Sequence, residues 1–432
     1  MARRRQTVAS DARTGSVRRS MRVDGRHVAS SADVLIIGGG IIGTASAFHL
    51  ARQGASVVLL EANELAYGAT GRNLGYIWIH TRRPGPELEL VMHLRRDLEE
   101  LQGVLDDDFG LRTEGGLIYV HTEDQLTTLR EFVDERHAIG VDMRLIDGDE
   151  ARALAPVLPD SVIAASFCPL DAQMDSARYV RAFADAAARH GARILEHTPV
   201  RSLELDGSRI ARVVTDGETF TPARVVVAAG AWTPELLRPL GVDVPIHPMR
   251  LQIVQTGPMD MVLGPVLYGP AAVKQYKIFR ELPSFRAEHW ANDVEKRHGK
   301  ALLEAICQRA DGSFLLGCAM DYPGFVWEPD LAGIALISEA FPTMMPAFRS
   351  ARFAKAWAGI LPFTTDNLPI IGPLPGLDDV YVAAGHVFGN AAGPTTGRLI
   401  ADLIGGREPV MDPWQFRADR PGLHDPVDTS VW

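Results

Sequence analysis

The strongest pattern in the chain is an apolar run, Val34-Leu-Ile-Ile37, that stops abruptly in Gly38-Gly-Gly40 and resumes as Ile41-Ile-Gly43. A short β-branched run bounded by glycine predicts a buried strand. The residues Thr44 to Gln53 then predict a helix, closed by Gly54 at the position where a helix end favours a left-handed residue. Ser56-Val-Val-Leu-Leu-Glu61 predicts a second buried strand ending in an acid. Further along, helical periodicity covers Glu87–Leu105, Glu123–Ile139, Asp149–Ala155 and Ser176–His190. Val200 to Thr215 predicts a β-hairpin turning at Asp206-Gly207, and Thr221 to Trp232 a buried strand running into small residues. Gly115-Gly-Leu-Ile-Tyr-Val120 and several runs between 247 and 320 predict the strands of a second, largely antiparallel sheet. Val273-Lys-Gln-Tyr-Lys-Ile-Phe-Arg280 is expected among them, a strand rich in cations and aromatics. Near the end, Val380-Tyr-Val-Ala-Ala-Gly-His-Val-Phe-Gly-Asn390 predicts a strand and a glycine-rich turn, followed by a helix from about Thr395 to Ile404.

The opening elements form one βαβ unit with Gly38, Gly40 and Gly43 in GxGxxG spacing. Each part has a physical task in holding a dinucleotide. Gly38 permits the tight turn, Gly40 lets the backbone approach a pyrophosphate, and Gly43 lets the helix pack closely on the strand. The pyrophosphate rests on the helix N-terminus, where free amides and the helix dipole favour negative charge. Glu61, about twenty residues along, is placed to accept hydrogen bonds from a ribose, and an acid there disfavours a 2′-phosphate and hence NADP. Gly68-Ala-Thr-Gly-Arg-Asn-Leu-Gly75 adds a polar loop whose Thr70, Arg72 and Asn73 offer donors for a pyrophosphate and a flavin edge.

Composition narrows the class. At 432 residues the chain suits two domains, and 46% hydrophobic with 23% charged residues is ordinary for a globular protein. A net charge of -10 argues against nucleic-acid binding, which draws on basic faces. Cys168, Cys307 and Cys318 are scattered without metal-like spacing, so no metal is expected, and a reducing, cytoplasmic setting is. No uninterrupted apolar run reaches membrane-spanning length; Val34 to Leu50 is broken by glycines and polar residues. Residues 1–30 are arginine-rich and lack apolar periodicity. Without an apolar h-region they read as a disordered basic tail rather than an export signal, despite Arg18-Arg19-Ser20.

Taken together, the opening βαβ, the Gly68–Gly75 loop, Ala228-Ala-Gly-Ala-Trp232, Thr364-Thr-Asp-Asn-Leu-Pro-Ile-Ile-Gly372 and Gly385-His-Val-Phe-Gly389 resemble the D-amino-acid oxidase, glycine oxidase and sarcosine oxidase family of FAD-dependent amine oxidoreductases. Thr70-Gly-Arg-Asn73 looks most like the β-subunit type of multimeric sarcosine oxidase and its opine, hydroxyproline and cyanide-producing dehydrogenase relatives. The resemblance implies an α/β fold: a Rossmann-like doubly wound FAD-binding domain from 31–85, 175–245 and 350–410. A second, largely antiparallel α+β substrate domain would come from 86–174 and 246–349, with 411–432 a C-terminal tail. It further implies that Gly38, Gly40, Ile42, Gly43 and Glu61 hold the ADP half of FAD, and that Thr70, Arg72, Asn73 and Leu74 approach the pyrophosphate and flavin. Val200 would meet the adenine, and Gly230, Trp232 and Gly359 belong to cofactor-binding stretches. Gly385, His386, Gly389 and Asn390 would lie at the flavin's pyrimidine edge, where reduced flavin gains negative charge.

The sequence departs from that pattern in ways that bear on substrate. Leu361, in Gly359-Ile-Leu-Pro362, stands where glycine oxidase carries a carboxylate-binding arginine. Either another base anchors the substrate or it lacks a free α-carboxylate. Arg250, Lys274, Lys277 and Arg280 are the candidate bases, Arg250 more as a structural residue. Monomeric sarcosine oxidase tethers its flavin through a cysteine in the stretch that Gly359 to Asp366 resembles; no cysteine lies there, so the resemblance implies non-covalent FAD, and Cys318 reads as a packing residue. Monomeric sarcosine oxidase carries an oxygen-activating lysine near the strand that Gly317 resembles, and no lysine stands just after Gly317 here, so the resemblance implies a dehydrogenase rather than an oxidase. His80, Lys274, Tyr276 and His386 are the candidate catalytic residues. The expected reaction is oxidation of a small amine or amino acid by hydride transfer to flavin, giving an imine that water hydrolyses, with oxygen or another acceptor taking the electrons. A homo-oligomer or heteromeric complex, an electron-transferring subunit of such a complex, a flavin monooxygenase and a plain NAD dehydrogenase remain open alternatives.

Overall fold

The structure is a computed structural model, and it describes residues 30–426. The basic tail lies outside the described residues except for Ser30, which begins the first strand. That strand, β1 (Ser30–Ile37), leads into helix α1 (Ile41–Arg52) and strand β2 (Val57–Leu60), the βαβ unit anticipated from the glycine spacing. β1 pairs in parallel with β2 on one side and with Thr219–Val227 on the other. Val380–Ala384 and Arg193–Leu195 extend the parallel set, and Ile370–Pro373 closes one edge antiparallel.

Side chains of β1 alternate between two apolar layers, because successive Cβ atoms leave opposite faces of a strand. Val34 and Ile36 pack with α1, Pro86–Leu105, Ser176–Arg189 and Gly389–Gly405. Leu35 and Ile37 pack beneath the hairpin Val200–Asp206/Arg209–Thr215 and the segments around Leu237, Ile246 and Leu374. A helical layer on one face and a β-rich layer on the other thus cover the sheet, as a buried parallel sheet requires.

The second sheet runs Phe353–Phe363, His247–Pro258, Ser313–Asp321, Ala301–Gln308, Val266–Tyr268, Gly116–Val120, Ala164–Cys168 and Arg144–Asp147. All neighbours are antiparallel except Val266–Tyr268 against Gly116–Val120. One face packs under Leu331–Met344 and Gly148–Leu154, and the other presents Ile253, Tyr268, Leu303 and Cys318 towards the first domain.

Four expectations need correction. Residues 273–280 are not a strand: they run from the end of one short helix, Pro270–Val273, through a turn into another, Lys277–Arg280. Val273, Tyr276 and Phe279 are buried at three-residue spacing, so the run fits a helical turn that alternation cannot satisfy. The last helix begins at Gly389 rather than Thr395, because Gly393 and Gly397 sit directly against Ile41 and Ala45 of α1. That close packing outweighs the poor helix propensity of glycine. Domain boundaries shift as well: Phe353–Phe363 is the edge strand of the second sheet, and the helix Pro86–Leu105 buries Leu90, Leu94 and Leu98 in the first domain's core. Finally, 411–426 is packed rather than a tail. Phe416 and Leu423 are fully buried, and Arg420 forms a bidentate ion pair with Asp366 at 2.7 and 2.8 Å.

Candidate functional site

A single continuous cavity of about 520 Å³ runs from the C-terminal end of β1 to the face of the second sheet. Its inner end is the glycine elbow. Gly38 adopts φ +118, and a Cβ there would lie 2.3 Å from the Ala228 carbonyl oxygen. A Cβ on Gly43 would lie 1.9 Å from the Gly38 carbonyl oxygen, so only glycine lets α1 approach the turn. Gly40 differs: its Cβ would meet only the Thr70 hydroxyl, at 3.2 Å, because its open side faces the cavity. Helix α1 starts there with no side-chain cap and no acid in its first turn. An uncapped N-terminus opening on a cavity suits a diphosphate.

Glu61 extends from the end of β2 and accepts hydrogen bonds from the amides of Gly39 (2.6 Å) and Asn63 (2.9 Å), on the cavity wall beside Val200. The Gly68–Gly75 loop forms one short turn of helix from Ala69 to Arg72. Asn73 ties it down: its Nδ2 donates to the Thr70 carbonyl at 2.8 Å, and its Oδ1 accepts from Gly75 N, Ser176 Oγ and Asn390 Nδ2. Arg72 donates to the carbonyls of Tyr67 (2.9 Å) and Ala358 (3.3 Å), with its guanidinium over both the Tyr67 ring (5.0 Å) and the Trp327 ring (4.9 Å). Trp327 in turn stacks on Trp232 at 5.1 Å.

A second uncapped helix N-terminus, at Phe388-Gly389, points into the same cavity. His386 precedes it, 4% exposed, with Nε2 2.9 Å from the Thr396 hydroxyl and Nδ1 without a partner. Burial pushes its pKa down to about 3, so the imidazole is neutral near pH 7. Asn390 Oδ1 is likewise buried and unpartnered. Orphaned polar atoms at a helix start are what a hydrogen-bonding ring edge would satisfy.

The opposite wall is aromatic. Tyr76, Trp78, Tyr268 and Tyr276 line it, Trp78 meeting Tyr268 edge-on at 4.3 Å. Burial raises the pKa of all three tyrosines, so they stand as neutral phenols. Leu361 sits among them, and Arg82 lies on the same wall, 6.0 Å from the Tyr276 ring.

Of the sequence-predicted cofactor residues, Gly38, Gly40, Ile42, Glu61, Thr70, Arg72, Asn73 and Leu74 line the cavity. So do Val200, Gly230, Trp232, Gly359, Gly385, His386, Gly389 and Asn390, while Gly43 lies behind the turn as its packing role requires. The catalytic candidates divide. Tyr276 and His386 are on the wall, but His80 and Lys274 are not. His80 is fully buried behind Trp78, stacked on it at 4.8 Å, with Nδ1 2.9 Å from Asp171 Oδ2 and Nε2 2.7 Å from Ser166 Oγ. Lys274 turns away to pair with Glu295. Arg250 is structural, held by Asp321 and Asp330. Cys168 approaches His80 and Asp171 closely enough for a metal, yet Asp171 already accepts from Ile79 N, His80 N and His80 Nδ1. Sequence reasoning missed Trp78, Tyr268, Trp327 and Arg82 as wall residues. Only Arg82 carried a signal, a cation two residues after the Tyr76–His80 run.

The cavity therefore joins a dinucleotide elbow to an aromatic chamber. The FAD dependent oxidoreductase (DAO) family profile matches residues 33–403, most of the chain. This chain belongs to that family. As a member of the FAD dependent oxidoreductases it depends on FAD, and the residues present fit that cofactor: two uncapped helix starts, the glycine elbow and the orphaned atoms at 386 and 390. Its relatives include glycine oxidase of Bacillus licheniformis, 28% identical over 396 residues, spanning 90% of this chain and 97% of that protein. Mitochondrial dimethylglycine dehydrogenase of Rattus norvegicus is 27% identical over 409 residues, spanning 90% of this chain but 45% of that protein. Among solved structures, glycine oxidase from Geobacillus kaustophilus superposes with a TM-score of 0.78 at 26% identity, covering 90% of this chain and 99% of that one. Among the described residues, no helix of this oxidoreductase is long and apolar enough to cross a membrane.

Proposed function

We propose that this chain oxidises the carbon–nitrogen bond of a small amine or amino acid, with non-covalently held FAD as the oxidant. The single observation that carries the reading is the unbroken cavity from the glycine elbow to the aromatic chamber, which lets one cofactor reach from anchor to substrate. The glycine oxidase and dimethylglycine dehydrogenase names among its relatives point to the same bond. FAD, when bound, supplies a hydride acceptor. The protein contributes the rest. Gly38 to Ile42 would seat the diphosphate, Glu61 would receive the ribose, and Gly385 to Asn390 would offer amides and a helix N-terminus to the ring edge.

Tyr76, Trp78, Tyr268 and Tyr276 exclude water and lower the local polarity, which disfavours an ammonium ion and delivers the amine neutral. A neutral amine is needed for its lone pair to assist departure of hydride from the adjacent carbon; the resulting imine hydrolyses in water. No side chain on the wall is required as a base, and His386, with its pKa near 3, is poorly suited to be one. Non-covalent FAD is supported by Cys318, the one cysteine on the wall, whose thiol burial holds far above its ordinary pKa and so unreactive. All three cysteines are free and buried, which fits a reducing, cytoplasmic setting.

The test is an anaerobic panel of glycine, sarcosine, proline, D-amino acids and opines, read by bleaching of the oxidised-flavin absorbance. At least one is expected to bleach it; a panel with no response overturns the reading. Acid precipitation is expected to leave all FAD in the supernatant. Reoxidation of the bleached protein by air, compared with a quinone or dye, decides between oxidase and dehydrogenase.

A further inference from the structure

We propose that Arg82 is the specificity residue that binds a carboxylate on the substrate, taking over from a different element the task that Leu361 cannot perform. This rests on the reading that the substrate is an amine held in the aromatic chamber. Among the described residues, the cavity wall carries two side chains of the arginine or lysine type, Arg72 and Arg82. Arg72 is bonded to two carbonyls near the pyrophosphate loop. Arg82 stands in the chamber beside Trp78 and Tyr276, 6% exposed, with its guanidinium 4.6 Å above the Phe388 ring.

Its bonding is incomplete. One terminal nitrogen lies 3.1 Å from Glu87 and the other 3.3 Å from the Thr81 hydroxyl, while Nε is buried with no partner. A guanidinium offers five donors in a planar fork, so several remain for a ligand. Charge is incomplete too. Glu87 is shared with Arg83, which it meets at 2.8 Å. Arg136, 1% exposed, donates to the Arg82 carbonyl at 2.6 Å and keeps two nitrogens unpartnered. The next carboxylate, Asp171, is taken up by His80 and two amides. Arg82 and Arg83 thus share one glutamate, with the Arg136 guanidinium buried against the same segment, where burial lowers its pKa to about 10. Buried charge is tolerated when paired. A substrate carboxylate supplies the missing anion, in the bidentate geometry an arginine favours. The uncapped helix start at Phe388-Gly389 adds to the same positive field.

The experiment uses the FAD-loaded protein and a matched pair of non-oxidisable probes, benzoate and benzamide. They share size and shape and differ in charge. Binding is read from the change in flavin absorbance and, independently, from the rise in melting temperature. The wild type is expected to prefer benzoate by roughly 10- to 100-fold, the range for a hydrogen-bonded charge. Arg82→Met keeps the length of the stem and leaves Glu87 paired with Arg83; it is expected to bring benzoate down to the benzamide level without changing benzamide. Arg82→Lys is expected to retain part of the preference. Equal binding of the two probes by the wild type overturns the proposal, as does undiminished benzoate preference in a fully FAD-loaded Arg82→Met protein. If Arg82→Met fails to load FAD, the same comparison on Arg82→Lys decides: a reduced preference supports Arg82, an unchanged one overturns it. A benzoate preference that depends on Arg82, in a protein that no amine reduces, would sink the amine reading and leave the anion site standing.

Discussion

Replacing Gly43 by alanine tests whether the glycine elbow is shaped by packing or by the cofactor. The added Cβ would sit 1.9 Å from the Gly38 carbonyl oxygen, whereas real Cβ contacts do not fall below 3.0 Å. Helix α1 or the turn must therefore retreat by at least about 1.1 Å, and both are backbone, so no side chain can swing aside. Overpacking of that kind costs about 1–3 kcal/mol. In a domain of this size it lowers the melting temperature by about 2–4 °C per kcal/mol. Gly40→Ala is the control, since its Cβ meets only the rotatable Thr70 hydroxyl at 3.2 Å. The apoprotein of Gly43→Ala is expected to melt several degrees low, while apo Gly40→Ala melts near the wild type. Both are expected to bind FAD more weakly, Gly40→Ala because its methyl occupies the side from which a diphosphate approaches. Differential scanning calorimetry of the two apoproteins, with FAD titration by fluorescence, provides the comparison. An apo Gly43→Ala with wild-type stability would refute the packing argument.

Further expectations concern titration, the buried polar cluster and the corrected candidates. The folded pKa of His386 is depressed from 6.5 to about 3, so the unfolded state binds the proton more readily. Its contribution to stability is present above about pH 6.5 and is lost as pH falls towards 3; urea melts of the apoprotein across that window should show a slope that His386→Gln flattens. Asp171→Ala leaves His80 and the amides of Ile79 and His80 without their acceptor, and should cost about 3 kcal/mol or more in urea unfolding; a loss below about 1 kcal/mol would show the cluster to be dispensable. Lys274→Gln should leave the rate of flavin reduction by any productive amine unchanged, since Lys274 pairs with Glu295 away from the cavity. A large fall in that rate would return Lys274 to the catalytic candidates.

Local chemistry determined part of this protein directly. The βαβ elbow was legible because each of its demands, a positive φ at Gly38 and a sub-van der Waals approach at Gly43, is met by one residue type at one spacing. Glu61 was legible as the acid ending a buried strand and Asn73 as a donor in a polar loop, whereas Val200 and Gly389 were reached only through the family resemblance, the helix at Gly389 being expected six residues later. The chamber was decided only by the tertiary structure. Trp78 and Arg82 come from one segment and Tyr268 and Trp327 from two others far along the chain, and no short-range pattern states that folding will bring them onto one wall. For the same reason His80 and Lys274 looked available: a histidine at a strand end and a lysine beside aromatics read alike whether they face a cavity or a buried carboxylate. Which way each side chain turns depends on long-range partners, Asp171 and Ser166 for His80 and Glu295 for Lys274, and those exist only once the chain has folded.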